Sequence, residues 1–138
     1  MSSQVIREIL EGKKRPENYE LMALTRKGLQ KSAVVDVARA FGMSGEEFCR
    51  LLPISWRTIQ RYQADRLMDS HLTDHLVRLV MIFAQVVDVF GTPEDAAGWL
   101  KTPILALGSA QPIEFLDTNA GIQIVKTILL RIEHGVFS

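Results

Sequence analysis

The most constraining feature of this sequence is a long run in which apolar side chains occupy nearly every side of a helix. Apolar residues recur with helical spacing from Leu72 to Phe90, and only Gln85 and Asp88 interrupt the apolar stretch over residues 79–90. A surface helix has one apolar stripe and one polar face. The pattern therefore predicts a central helix of about six turns, buried either between two halves of the chain or across a dimer.

The rest of the chain has the same helical periodicity, and strand alternation is not convincing anywhere. The residues that repeat in this way are Leu21, Leu24, Leu29, Val34, Val37, Ala38 and Phe41 in the first half and Ile122, Val125, Ile128, Leu129 and Ile132 near the end. The last group predicts a helix from about Thr118 to His134, which Gly135 ends. The predicted fold class is all-α.

Residues 44–62 contain two helix starts separated by a proline. Ser44 and Glu47 have the spacing of a capping box. Pro53 disfavours the α conformation in the residue before it, so the first helix should end near Leu51. Ser55 can cap a second helix through the end of the segment. Together these signals predict a helix-turn-helix, a motif that places its second helix in the major groove of DNA.

Charge identifies the second helix as the DNA-recognition helix. The first helix opens with two glutamates, which phosphates repel, whereas the second carries Arg57 and Arg61 four residues apart. We expect Ile59 and Tyr62 to face the core and Trp56, Arg57, Gln60 and Arg61 to point outward. The predicted DNA-binding residues are Ser55, Trp56, Arg57, Thr58, Gln60 and Arg61. The alternative is a solvated basic helix in a helical bundle.

No constellation in the sequence predicts catalysis, a metal or a cofactor. His71 and His75 have the spacing of a zinc protease helix, but Leu72 stands where that chemistry needs a glutamate. Two exposed histidines are the expected outcome. Cys49, the single cysteine, is expected to be a small buried apolar side chain.

A net charge of zero conceals an asymmetry between the two halves of the chain. Residues 1–68 carry 12 Lys and Arg against 8 Asp and Glu, whereas residues 69–138 carry 4 against 8. The basic half is suited to a polyanion and the acidic half to a different partner; ordinary surface charge is the alternative. A secretory signal and a bilayer-spanning run are not evident, and the lone cysteine fits a reducing compartment. We expect a cytoplasmic protein without a membrane partner.

Composition and capping signals divide the chain into three parts. A Gly- and Pro-bracketed basic stretch predicts an N-terminal arm at residues 1–18, followed by a helix-turn-helix domain at 19–68 and a C-terminal domain at 69–138. In the last part, Gly91 ends the central helix and Thr92-Pro93 begins a short one. An irregular connection then precedes the final helix.

Two segments resemble a known family of bacterial antitoxins. Ile54-Ser-Trp-Arg-Thr-Ile-Gln-Arg61 resembles the recognition segment of Xre-type antitoxins. The C-terminal half resembles the toxin-binding domain of Xre/MbcA/ParS antitoxins. The segments that carry this second resemblance are Phe90-Gly-Thr-Pro-Glu-Asp-Ala-Ala-Gly-Trp-Leu100, Thr102-Pro, Leu107-Gly, Gln111-Pro-Ile-Glu-Phe-Leu-Asp-Thr118, Gly121 and Arg131-Ile-Glu-His-Gly135. The resemblance covers roughly residues 20–138.

The resemblance implies a two-part, non-enzymatic antitoxin. Its N-terminal helical domain would bind operator DNA and repress its own operon, and its C-terminal domain would neutralise a RES-type toxin that consumes or modifies NAD. The toxin-binding residues expected from it are Trp99, Glu133, His134, Gly135, Val136 and Phe137. The end of the chain would block the toxin's active-site cleft, with Phe137 as its apolar anchor; the alternative packs Phe137 against its own domain. Pro53 departs from the glycine that many helix-turn-helix turns use.

The central helix also predicts a homodimer, which would place two recognition helices on one face of DNA. Two other readings of the chain stay open at this point. It is either a stand-alone helix-turn-helix transcription regulator whose C-terminal domain dimerises or senses a ligand, or a small enzyme without a recognisable site.

Overall fold

The fold is an assembly of helices around one central helix. The computed structural model describes the backbone of residues 2–135 and the side chains of residues 4–135. The helices are α1 (Ser2–Leu10), α2 (Asn18–Lys27), α3 (Lys31–Ala40), α4 (Gly45–Cys49), α5 (Trp56–Gln60), α6 (Ser70–Phe90), α7 (Pro93–Leu100) and α8 (Asn119–Glu133), with 3-10 turns at Leu105–Leu107 and Pro112–Phe115. The predicted all-α fold is confirmed.

Helix α6 is the centre of the core. It packs against α1 and α2 on the N-terminal side and against α7 and α8 on the C-terminal side. Eleven of its residues are buried within the single chain, and Phe83 stacks on Phe41 with ring centroids 5.0 Å apart. Of the two placements predicted for this helix, burial between the halves of the chain is the one observed. Its apolar surface needs no second copy to cover it.

Five helices begin at a side chain that caps the first turn. The capping side chains accept a hydrogen bond from a backbone N–H three residues on, and they are Ser44, Ser55, Asp69, Thr92 and Thr118. In the Ser44 box, the Glu47 carboxylate also accepts from the Ser44 N–H at 3.1 Å. Helices α4 and α5 end at Cys49 and Gln60, about two residues earlier than predicted. Local capping chemistry therefore determines where these helices start more sharply than where they end.

The N-terminal segment contributes to the core. Helix α1 packs against α3 and α6, and it buries Ile6, Ile9 and Leu10 almost completely. Arg7 at its surface lies 3.9 Å from the Asp36 carboxylate on α3. The first ten residues, which the sequence sets apart as part of an arm, thus close one side of the same core.

Two long-range hydrogen bonds hold the C-terminal half in place, and the first of them reaches the N-terminal half. The Lys101 ammonium at the end of α7 donates to the Gly42 carbonyl after α3, with Nζ and O 2.7 Å apart. His75 Nε2 on α6 lies 3.0 Å from the Leu116 carbonyl oxygen before α8 and donates to it. Because α6 packs on both halves as well, they form one continuous hydrophobic core.

No individual helix within residues 2–135 is both long and apolar enough to cross a membrane. Helices α6 and α7 meet that condition only when taken together, and the pair is bent by 108° at the break between them.

Candidate functional site

The predicted recognition helix is short, basic and anchored by one buried side chain. Ile59 is 1% exposed and holds α5 on the core, while Arg57, Gln60 and Arg61 are exposed. Recognition helices contact base edges mainly through their N-terminal residues. Arg57 lies in the first turn of this five-residue helix, Gln60 is its last residue and Arg61 follows it; arginine and glutamine are the types that pair with guanine and adenine edges.

The hydroxyl groups at the start of α5 are committed to the cap. Ser55 Oγ accepts from the Thr58 N–H at 3.1 Å and lies 2.9 Å from Thr58 Oγ1. Both residues are exposed, and the pair defines the first turn of α5 at the protein surface. The geometry supports a role for both residues in starting α5. Their predicted role in DNA binding remains a proposal.

The expectation that Trp56 points outward is wrong. Trp56 is partly buried against the core, and its indole ring lies over Gly45 at the start of α4. A Cβ on Gly45 would come within 2.5 Å of that ring. Trp56 therefore packs the two helices together, because a large apolar ring gains more from covering α4 than from exposure to water. Tyr62, expected in the core, is partly buried and packs against it.

Two further cations, which the sequence analysis did not identify, lie beside α5. Lys31 at the start of α3 brings its Nζ to 3.4 Å from the Gln60 carbonyl oxygen at the end of α5. The Arg66 guanidinium lies 3.9 Å from the centre of the Tyr62 ring. With Arg57 and Arg61 they make up the α5 basic surface. None of the four forms an ion pair with an acidic side chain in the described part of the chain.

A groove of about 600 Å³ separates α4 from α5. Trp56, Arg57 and Gln60 line it on the α5 side, and Glu46 and Arg50 line it on the α4 side. Glu46 would repel a phosphate placed deep in the groove. The neighbouring Glu47 has its pKa lowered by the hydrogen bonds from the Ser44 backbone N–H and side chain, so it stays ionised and holds the cap.

The environments of His71, His75 and Cys49 indicate structural side chains. His71 is exposed, as expected, but His75 is half-buried and bonded to the Leu116 carbonyl oxygen, contrary to the expectation of two exposed rings. Cys49 is 5% exposed, and burial raises the pKa of its thiol to about 11. The small buried role predicted for Cys49 is confirmed. No group of three potential metal ligands occurs within the described residues.

The predicted toxin-binding residues lie on two separate helices. Trp99 on α7 is partly buried and contacts Phe90, with ring centroids 5.3 Å apart. Glu133, His134 and Gly135 are exposed at the end of α8, where Gly135 has a left-handed φ of 70°. No hydrogen bond or ring contact in the described structure joins Trp99 to this end of α8. The predicted residues Val136 and Phe137 lie outside the described residues.

A residue that the sequence did not single out is the most exposed large apolar side chain of the described structure. Leu105, in the first 3-10 turn, is 89% exposed. The sequence shows three apolar residues close together here, and only the structure distinguishes the exposed Leu105 from its partly buried neighbours Ile104 and Leu107.

Comparison with known families matches the two halves to two domain models. The model described as the antitoxin Xre-like helix-turn-helix domain matches residues 20–81. The model described as the antitoxin Xre/MbcA/ParS C-terminal toxin-binding domain matches residues 85–135. The resemblance noted in the sequence is confirmed on both stretches. The junction between the two matches falls inside α6.

Three curated relatives have names of the same kind. A protein named Antitoxin Xre from Photorhabdus laumondii is 39% identical over 67 residues, which is 48% of this chain and 45% of that protein. Another Antitoxin Xre, from Yersinia enterocolitica, is 33% identical over 94 residues, 67% of this chain and 64% of that protein. A Sphingobium protein named Prs ADP-ribosylating antitoxin is 41% identical over 51 residues, 37% of this chain and 32% of that protein. The chain thus spans less than two thirds of each relative's length.

Proposed function

Because this chain belongs to the Xre/MbcA/ParS-type antitoxins, we propose that it binds and neutralises a partner toxin and represses its own operon. The observation that carries the proposal is the match of residues 85–135 to a toxin-binding domain. Those residues form α7, the two 3-10 turns and α8, together with the end of α6. In this proposal the helix-turn-helix part of the chain binds operator DNA in the cytoplasm.

The proposed mechanism of neutralisation is steric and not enzymatic. The toxin is of the RES type and consumes NAD, and residues Glu133 to Phe137 of the antitoxin block its active-site cleft. The name of the Sphingobium relative refers to ADP-ribosylation, a reaction that draws ADP-ribose from NAD, and this supports the proposed toxin class. Trp99 contributes indirectly by fixing α7 against Phe90.

The proposed mechanism of repression uses the α5 basic surface. Arg57, Gln60 and Arg61 read base edges, and Lys31 and Arg66 contact phosphates, which supply most of the affinity without sequence information. The chain acts as a homodimer, so two α5 helices face half-sites about one helical turn apart. Since α6 is covered within one chain, the dimer contact is formed by other surfaces. Light scattering with and without operator DNA tests the dimer, and a monomer under both conditions would contradict it.

Co-expression with the neighbouring reading frame tests the function. We expect the product of that frame to be toxic alone, to be harmless with this chain, and to co-purify with it. Deletion of residues 136–138 should abolish protection while the melting temperature and operator binding stay unchanged. Full protection by the shortened chain would refute the cleft-blocking mechanism. A chain that binds its promoter but no product of a neighbouring frame would instead be a stand-alone regulator.

A further inference from the structure

The connection between α7 and α8 contains an exposed surface without charge. Twelve consecutive uncharged residues lie between Lys101 and Glu114, in a chain that is 23% charged. Six of the twelve are exposed, namely Thr102, Pro103, Leu105, Ala106, Gly108 and Ser109. We call residues 102–113 the neutral loop. A lack of charged residues is what distinguishes the centre of a protein–protein interface from the rest of a protein surface.

Backbone hydrogen bonds hold the neutral loop in one shape. The Ile104 N–H donates to the Ala110 carbonyl at 3.0 Å, and the Ser109 N–H donates back to the Ile104 carbonyl at 2.9 Å. These bonds close the loop at its base, and the turn at Leu105–Leu107 lies between them. Because its conformation is already fixed, the loop loses little conformational freedom on binding.

The backbone is strained where the neutral loop turns back toward its base. Gly108 has a φ of 66° and Ser109 a φ of 69°, and Ser109 is the one non-glycine residue with positive φ in the described structure. A serine disfavours this region, so the surrounding loop must hold it there. Residues held in such sparsely populated conformations cluster at functional sites. In this loop the strained residue closes a turn whose largest side chain, Leu105, is 89% exposed.

A single exposed leucine on its own is ordinary. Leu105 differs because three observations coincide at it: the highest exposure among the large apolar side chains of the described structure, a position in a loop without charged residues, and a backbone closed by hydrogen bonds with a positive φ at Ser109. The loop also lies wholly within residues 85–135, the stretch matched by the toxin-binding domain. The occupant that fits these observations is the toxin.

We propose that Leu105 inserts into an apolar pocket on the partner toxin and that the neutral loop forms the contact around it. This inference rests on the proposed function and adds a second contact to the one assigned to the end of the chain. Leu105 anchors the antitoxin on the toxin, and residues 133–138 block the toxin's cleft.

Binding measurements with two leucine variants test this contact. The probe is the purified product of the neighbouring reading frame, titrated with the full chain by calorimetry. Leu105→Ala should raise the Kd by more than about tenfold, as truncation of a central anchor does, and Leu105→Lys should raise it further. Leu130→Ala, which shortens a leucine of α8 that is 43% exposed, is the matched control and should bind like the wild type. All variants should keep the wild-type melting temperature and operator affinity.

The outcomes separate this inference from the function on which it rests. Wild-type affinity in both Leu105 variants would overturn the inference and leave the proposed function standing. Loss of binding in Leu130→Ala alone would place the contact on α8 and overturn it as well. Loss of self-association in the Leu105 variants, with toxin binding intact, would make the loop a contact between copies of this chain. A wild-type chain that does not bind the probe would overturn the proposed function and the inference together.

Discussion

Lys101 and Gly42 join the two halves of the molecule through a hydrogen bond between side chain and backbone. The Lys101 ammonium lies 2.7 Å from the Gly42 carbonyl oxygen, although the two residues are 59 positions apart. Gly42 has a φ of 66°, and a Cβ there would lie 2.6 Å from Lys101 Nζ. Glycine at this position therefore permits both the turn after α3 and the approach of the lysine.

Removal of the lysine amine should loosen this connection. Lys101→Met keeps most of the side-chain length and loses the donor, so we expect the free energy of unfolding to fall by about 0.5–1.5 kcal/mol. Gly42→Ala should cost at least as much, because it adds an unfavourable φ to the displaced lysine. Thermal unfolding measures both. Equal stability of Lys101→Met and wild type would show that water replaces the bond without loss.

Gly121 provides the sharpest test of packing in the C-terminal half. It lies in the first turn of α8, and a Cβ there would overlap the carbonyl oxygen of Phe115. Gly121→Ala should therefore push α8 off the preceding 3-10 turn and destabilise the chain by about 1–3 kcal/mol or more. Denaturant unfolding measures the change.

Gly98→Ala is the matched control for this substitution. Gly98 also lies within a helix, α7, but a Cβ there meets nothing within 4 Å. Because alanine favours a helix interior over glycine, we expect a gain of about 0.5–1 kcal/mol. Two Gly→Ala changes in one domain should thus have opposite signs. A loss at both sites would mean that the α8 contact is not the cause.

The Ser44 cap predicts a pH-dependent contribution to stability. Hydrogen bonds from Ser44 lower the pKa of Glu47 below its ordinary value of 4.5. A carboxyl group whose pKa is lower in the folded state stabilises the fold above its unfolded pKa, and this stabilisation is lost as the pH falls through the folded pKa. Glu47→Ala should lower the melting temperature at neutral pH, and the difference from wild type should shrink below pH 4.5.

Glu46→Ala separates the cap from simple charge. It removes a carboxylate from the same turn of α4 without touching the hydrogen bonds that Glu47 makes to Ser44. Its effect on the melting temperature should be smaller than that of Glu47→Ala at neutral pH. Equal effects of the two variants would assign the stabilisation to the helix dipole instead of the cap.

Operator binding should depend on the exposed arginines of α5. Arg57→Ala or Arg61→Ala should weaken binding by about 1–3 kcal/mol if each reads a base, while toxin neutralisation persists. Arg39→Ala is the control, since its side chain is 75% exposed but lies on α3, outside the α5 basic surface. Mobility shifts at several salt concentrations measure the effect. Wild-type affinity in both α5 variants would remove α5 as the recognition helix.

The helix starts were predictable because their causes are local. Ser44 and Ser55 each bond to a backbone N–H three residues away, and the same chemistry begins α6 at Asp69. The central position of α6 was predictable as well, since a helix apolar on nearly all sides has no stable place at a surface.

The features that the sequence did not reveal depend on distant parts of the chain. Trp56 is covered because Gly45 leaves room for its ring, and His75 is held by a carbonyl group 41 positions away. No local pattern specifies either contact. The exposure of Leu105 belongs to a loop closed by hydrogen bonds between Ile104, Ser109 and Ala110, and the sequence made no prediction for it. The residue types in the sequence therefore predicted a basic surface on α5, but not that Lys31 and Arg66 complete it.

The sharing of α6 between the two matched domains has a consequence for turnover. Because both halves pack on the same buried helix, we expect a protease that unfolds one half of the chain to destabilise the other half as well. In the proposed function, each degraded molecule would release one toxin and vacate one operator half-site in a single event. Transcription of the operon would then rise in step with the amount of toxin set free, without a separate sensor.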